Sequence, residues 1–203
     1  LFDRSDGTKV RFAVGRYKKA GRPELADVKI SDYCPIGCSF CYMDSTIFGK
    51  HGSVENIEVI AHEMGKAKVW EVALGGGETT SHPEFVRILK IFRDNGVVPN
   101  FTTKLPAAVR KFWPEIKDLI GGFAYSAETP AQIRSAAKLL RDVPAGKASL
   151  HYVMGLGGRE SFMEYMRAAD EVGWRVTLLG YKTSGRGKDV VPYPYDWWIE
   201  AVD

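Results

Sequence analysis

From residue 28 onward the chain alternates short β-branched or apolar runs with amphipathic segments, and that alternation leaves few folds open. The β-prone runs lie near 28–31, 69–74, 97–102, 122–125, 149–154 and 175–179. Between them apolar residues recur at helical spacing. Ile57, Ile60, Ala61 and Met64 fall at i, i+3, i+4 and i+7, as do Phe85, Ile88, Leu89 and Phe92, and Phe162, Tyr165, Met166 and Ala169. Strands joined through such crossovers pair in parallel. The stripes are packing faces and carry no chemistry. Punctuation agrees: Ser81-His82-Pro83-Glu84 offers a cap, a proline and an acid at a helix start, Asn95-Gly96 a stop, and Gly173 a second stop. With a last helix from near Tyr195, the expectation is an α/β fold, a partial TIM-like (βα)6 open barrel with its helices outside. Residues 28–203 form its core. Residues 1–27 form a short N-terminal extension, strand-like at 8–14 and basic and loop-like at 16–23.

At 203 residues and 45% hydrophobic, the chain can build one substantial core and is short for two, so 1–203 reads as a single domain. No tandem repeat, low-complexity tract or linker argues otherwise. The net charge is +3, from 28 basic and 25 acidic residues, which makes no case for a dedicated nucleic-acid or membrane surface. No apolar run approaches bilayer length, and Leu1-Phe2-Asp3-Arg4-Ser5-Asp6 is not a signal peptide. A reducing, cytoplasmic location is expected. The chain opens on Leu and stops in a helix-like segment, so one or both ends are expected to be trimmed.

Cys34, Cys38 and Cys41 are the only cysteines, and they fall within eight residues as Cys-x3-Cys-x-Phe-Cys, just after the first β-prone run. That spacing points to three thiolates gathered by one loop around one inorganic centre, a [4Fe–4S] cluster with one iron lacking a protein ligand. A structural zinc site wants four ligands; His51, ten residues beyond Cys41, leaves a Cys3His site open as the alternative. A disulfide framework fails on the odd count.

This run, with Phe40 as the aromatic before the last cysteine, resembles the C-x3-C-x-Φ-C hallmark of the radical S-adenosylmethionine (SAM) enzymes, whose core is also an open (βα)6 barrel. The resemblance implies that Cys34, Cys38 and Cys41 bind the cluster and that SAM chelates the open iron. One electron from an external flavodoxin or ferredoxin type donor then yields methionine and a 5′-deoxyadenosyl radical, which takes a hydrogen atom from substrate. Ligands of parallel βα folds gather at the carboxyl ends of the strands, and the remaining motifs sit there. Gly75-Gly76-Gly77-Glu78 is similar to the family's GGE motif, in which Gly76, Gly77 and Glu78 would hold the amino group of SAM; Thr79 replaces the usual proline. Thr102-Thr103-Lys104 is similar to a Thr-Asn-Gly turn, with Lys104 either solvated or directed at a carboxylate in the cleft. Ser126-Ala127-Glu128 looks like a Ser-x-Asp/Glu element, so Ser126 and Glu128 would serve the ribose and methionyl groups, or else cap the helix ahead of Pro130. Leu179 and Gly180 would lie beside adenine.

Arg186 and Lys188 follow on a glycine-rich loop, either to grip an anionic substrate or as a mobile basic surface. Tyr193-Pro194-Tyr195-Asp196-Trp197-Trp198 reads as packing, with substrate stacking as the lesser option. With no fourth cysteine, no second all-cysteine cluster can be built within these residues. The substrate is expected to be a small anionic or nucleotide-derived molecule, as in 7-carboxy-7-deazaguanine synthase-like enzymes, or a peptide segment laid across the barrel mouth. The competing functional class is an iron–sulfur electron-transfer or redox-sensing module that does not use SAM, for which the Gly-Gly-Gly-Glu run would have no purpose. A zinc-stabilised binding domain is the third.

Overall fold

The computed structural model describes residues 1–5, 7–10, 15–16 and 21–197. Six strands form one sheet in chain order: β1 (Leu25–Ser31), β2 (Glu71–Gly76), β3 (Val98–Thr103), β4 (Phe123–Tyr125), β5 (Ala148–Val153) and β6 (Arg175–Leu179). Every neighbouring pair is parallel. The crossovers carry α1 (Val54–Lys66), α2 (Phe85–Asp94), α3 (Pro106–Ile116), α4 (Pro130–Leu139) and α5 (Arg159–Val172). β1 and β6 are the free edges, so the α/β sheet is an open, partial barrel. β1 starts three residues before the expected boundary, because Leu25, Ala26 and Asp27 pair with Glu71, Val72 and Ala73; a neighbouring ladder overrides their weak strand preference.

Strand alternation separates two environments. In β5, Ala148, Leu150 and Tyr152 are buried, while Ser149, His151 and Val153 alternate with them on the other face. The buried face meets the helices. Phe85 of α2 packs edge-on against Phe101 of β3 at 5.0 Å, and Tyr152 meets Phe162 and Tyr165 of α5 at 5.3 and 4.7 Å. The predicted α2 stripe of Phe85, Ile88, Leu89 and Phe92 is fully buried. In α1 the buried set is Val54, Ile57, Ala61 and Met64, whereas Ile60 is exposed; the helix turns its narrow face inward along 54, 57, 61 and 64. On the other face a cavity of about 730 Å3 opens inside the barrel, lined among others by Ala73, Asn100, Thr102, Ala124, Ser149 and His151. Its walls are mostly the amino-terminal halves of the strands, away from the cysteines. Burial there holds the pKa of His151 below the ordinary imidazole value.

Caps follow the sequence in part. Ser53 accepts from the Asn56 amide at the start of α1, and Thr129 with Gln132 forms a capping box on α4. Ser81 does not cap α2, which begins at Phe85. Ser81 ends the 3₁₀ turn Thr79–Ser81, and the ring Nδ1 of His82 accepts the Glu84 amide at 3.1 Å instead. Gly173 ends α5 at φ 68°, in open space. Gly173→Ala is expected to lower the unfolding free energy by about 1 kcal/mol, through backbone strain alone, read as a shifted denaturant midpoint.

Near the N-terminus, Phe2 and Lys9 form an antiparallel bridge, Phe2 stacks on Trp70 at 5.2 Å, and Lys9 pairs with Glu71 at the amino end of β2. The rest of the expected 8–14 strand, and most of the basic 16–23 segment, lie outside the described residues or in bends. So does the expected last helix beyond Trp197; Tyr195 to Trp197 are not helical. Trp197 packs on Phe162 at 5.3 Å, the packing role expected of the aromatic stretch. No helix among the described residues is long and apolar enough to cross a membrane.

Candidate active site

The cysteine loop is an excursion from the end of β1, pinned at both ends. The Asp32 amide donates to Lys50 O at 2.8 Å, Gly52 N to Ile30 O at 2.8 Å, and Cys34 N to Thr46 O at 2.9 Å. Inside it the turns are tight: Cys41 N donates to Cys38 O at 3.3 Å and Asp44 N to Cys41 O at 3.2 Å, while Gly37 stands at φ 71°. All three cysteines are unpaired thiols of intermediate burial. Burial pushes the Cys38 thiol up, against the opposing pull of the Lys104 ammonium.

β2 seats this loop. Gly77 N donates to Ser31 O at 2.7 Å and Glu78 N to Tyr33 O at 2.9 Å. A Cβ on Gly76, at φ 113°, would stand 2.1 Å from Ser31 O, and one on Gly77 2.1 Å from Tyr33 O. Two glycines expected to admit a ligand therefore admit the backbone at the end of β1 and just beyond it. Gly75 is the glycine with open space above it, and sequence reasoning left it out of the predicted site. Strand parity was the available signal: Gly75 stands two residues beyond Ala73, which faces the interior cavity.

Glu78 is also engaged within the protein. Its carboxylate is almost fully buried and accepts from Thr80 N at 3.2 Å, Thr80 Oγ1 at 2.7 Å, Thr103 Oγ1 at 2.6 Å and Lys104 N at 2.9 Å. It ties the ends of β2 and β3 together. Next to it Lys104 is directed inward, not solvated. Its ammonium pairs with Glu128 and lies 5.3 Å from the Phe40 ring centre, so the ends of β3 and β4 meet over the cysteine loop. Thr129, not Ser126 or Glu128, caps α4. The Ser126 amide donates to Thr103 O at 3.0 Å, and its hydroxyl makes no hydrogen bond among the described residues. Thr102 lies apart from this group, lining the interior cavity. Leu179 is half-buried, and Gly180 is exposed with nothing near its Cα hydrogens.

The chemistry of the donor set fits a cluster better than a single ion. Among the described residues no three His, Cys, Asp or Glu side chains converge closely enough to hold one metal ion. A [4Fe–4S] cluster asks for one thiolate at each of three separate irons, and this loop carries three thiols, none of them in a disulfide. The Cys3His zinc alternative fares no better, since His51 joins no such group of donors among the described residues. His51 Nδ1 is 3.0 Å from Ser31 Oγ, and its ring packs against Tyr33 and His82.

Residues 28–182 match the Radical SAM superfamily. The chain belongs to this superfamily. Members of the radical SAM superfamily bind a [4Fe–4S] cluster and SAM. Solved structures agree on the fold. Streptococcus suis SuiB bound to the precursor peptide SuiA aligns with a TM-score of 0.65 at 18% identity, over 80% of this chain and 40% of that one. SuiB bound to SAM gives 0.65 at 16%, over 89% and 45%. Native anSMEcpe with bound AdoMet and Cp18Cys peptide gives 0.59 at 16%, over 77% and 51%. The chain thus spans two-fifths to half the length of these proteins. No curated protein matches it.

One expectation for this radical SAM chain is corrected by its own contacts. Arg186 is not poised for an anionic substrate, since its guanidinium is bound to Cys38 O, Asp44 and Ser45 O. With one bond from each of its three nitrogens already made to protein oxygens, the guanidinium is held against the cysteine loop and is not presented as an open fork to a phosphate or carboxylate. Lys188 is exposed on the same loop and makes no ion pair among the described residues.

Proposed function

We propose that this chain is the catalytic core of a radical SAM enzyme acting on a peptide or protein segment. The observation that carries the reading is the convergence of three strand ends on one loop of three free thiols: Gly75 to Glu78 from β2, Lys104 from β3 and Glu128 from β4. Cys34, Cys38 and Cys41 would hold the cluster. When bound, the cluster supplies the electron that splits SAM into methionine and a 5′-deoxyadenosyl radical. The chain's residues bind and orient. The open space at Gly75 lets a ligand approach the backbone, the Lys104–Glu128 pair offers a cation and an anion to the zwitterionic methionyl end of SAM, and the free Ser126 hydroxyl suits a ribose oxygen. Leu179 and Gly180 offer an apolar edge and bare backbone to adenine. Glu78 acts behind these groups, as a brace.

The peptide reading is supported by two neighbours of the same fold, whose structures hold a precursor peptide and a Cp18Cys peptide. It is also supported by the engagement of Arg186 with the cysteine loop, which weakens one of the two cations expected to favour a small anion. The reading includes one domain over 1–203, a cytoplasmic location and a separate flavodoxin or ferredoxin type donor. Anaerobic iron and sulfide reconstitution, followed by SAM and dithionite, is expected to give a brown protein that releases 5′-deoxyadenosine. Chromatography of the nucleoside checks it, and a brown protein that releases none would favour the electron-transfer class. Candidate peptides should accelerate release, whereas acceleration by nucleotide-derived acids alone would reverse the substrate assignment.

A further inference from the structure

The edge strands β1 and β6 share no ladder, so the open seam of the sheet needs another tie. At the cysteine end, the segment after β6 provides one. The Lys182 ammonium lies 4.0 Å from the centre of the Tyr42 ring, and Ser184 Oγ donates to Tyr42 O at 3.2 Å. The Arg186 amide donates to Cys41 O at 2.9 Å. Its guanidinium then forks three ways, with Nε donating to Cys38 O at 2.9 Å, Nη1 to Asp44 Oδ1 at 2.7 Å and Nη2 to Ser45 O at 3.0 Å. Two of these four bonds end on carbonyls of the cysteines themselves.

The contact is backbone on backbone. Gly185 sits at φ 54°, and a Cβ there would stand 2.6 Å from Cys41 O and 2.7 Å from Tyr42 O. A Cβ on Gly187 would stand 3.3 Å from Phe40 O. The loop being gripped turns sharply, with Asp44 at φ 53° in the left-handed region, which aspartate tolerates better than most residues that carry a side chain. A planar guanidinium reaches three acceptors at once, and a lysine ammonium on a single stem does not reproduce that fork.

We propose that Arg186 is a positioning residue that grips the Cys38 and Cys41 carbonyls, fixing the three-thiol loop in its ligand-ready shape before iron arrives and tying β6 to β1 across the seam. The proposal rests on the cluster reading and adds a residue outside the cysteine motif to its assembly. Its test begins with the cluster-free chain, kept anaerobic, by following the reaction of the three thiols with an aromatic disulfide reagent. Arg186→Gln and Arg186→Lys are each expected to react about tenfold faster than wild type, because losing charged hydrogen bonds eases local opening. Asp44→Asn, which keeps both cysteine carbonyl contacts, should raise the rate only about two- to threefold. Lys188→Gln should match wild type. After reconstitution, transfer of iron to a chelator should quicken in the same order, while the unfolding free energy of the apo chain falls by no more than about 1.4 kcal/mol, to which a tenfold change corresponds.

Wild-type thiol rates in Arg186→Gln would overturn the proposal. So would full rescue by Arg186→Lys, which would reduce the effect to charge, or a fall in unfolding free energy well beyond that figure, which would make the faster rates a matter of global unfolding. If Arg186→Gln fails to fold, the Arg186→Lys and Asp44→Asn rates decide the matter. Should the wild-type chain take up no iron while Arg186→Gln still exposes its thiols, the clasp stands and the cluster reading falls.

Discussion

Cys38→Ala is expected to yield a folded, colourless protein. Its side chain is only partly buried and contributes no packing that the core depends on, so far-ultraviolet circular dichroism should match wild type. What the substitution removes is the middle thiolate of three, and the two remaining cannot hold a cluster that needs a ligand at each of three irons. Iron content after reconstitution should fall to the adventitious level. Release of 5′-deoxyadenosine should drop to background, a larger loss than the roughly tenfold to hundredfold that follows removal of a metal site's outer partners. A variant that kept full iron and its visible absorption would show that the ligands had been misassigned.

Glu78→Ala should be the most damaging change at a residue that binds no iron. Four donors converge on this buried carboxylate, from Thr80, Thr103 and Lys104, and alanine leaves them without an acceptor where water is scarce. Hydrogen bonds to a charged group and the desolvation of orphaned donors together suggest a loss of about 3 kcal/mol, read as a lower denaturant midpoint of the apo chain. Glu78→Gln should recover roughly half of that, since its carbonyl can serve one side while its amide faces donors on the other. A stability change in Glu78→Ala below about 0.5 kcal/mol, the scale of an ordinary surface substitution, would refute the brace. If Glu78 contacted SAM alone, activity would fall with no loss of stability.

Much of the fold was legible because its signals are local. Alternating runs and helical stripes are written in residues a few positions apart, and they located six strands and their parallel order. Ile60 misled because the buried face of α1 runs along Val54, Ile57, Ala61 and Met64, a track that leaves Ile60 on its exposed edge. Ser81 misled because the 3₁₀ turn Thr79–Ser81 delays the start of α2 to Phe85. The site divides in the same way. The cysteine spacing is local chemistry and could be read directly. The partners of Lys104 and Glu78 are not, since Glu128 and Thr103 reach them through strand pairing 24 and 25 residues away.

By itself, the sequence determined that three thiols share one loop at the end of a strand, that a glycine-rich turn follows one βα unit later, and that the sheet is parallel. These are matters of spacing, periodicity and turn chemistry, which act over a few residues. Only the tertiary structure decided what these residues do: Gly76 and Gly77 admit the backbone leaving β1, Glu78 braces two strands, and Arg186 holds the cysteine loop from more than a hundred residues away. A buried polar group is assigned its role by whichever partner the fold brings within hydrogen-bonding distance, and that partner is fixed by the register of the sheet and the closing of its seam.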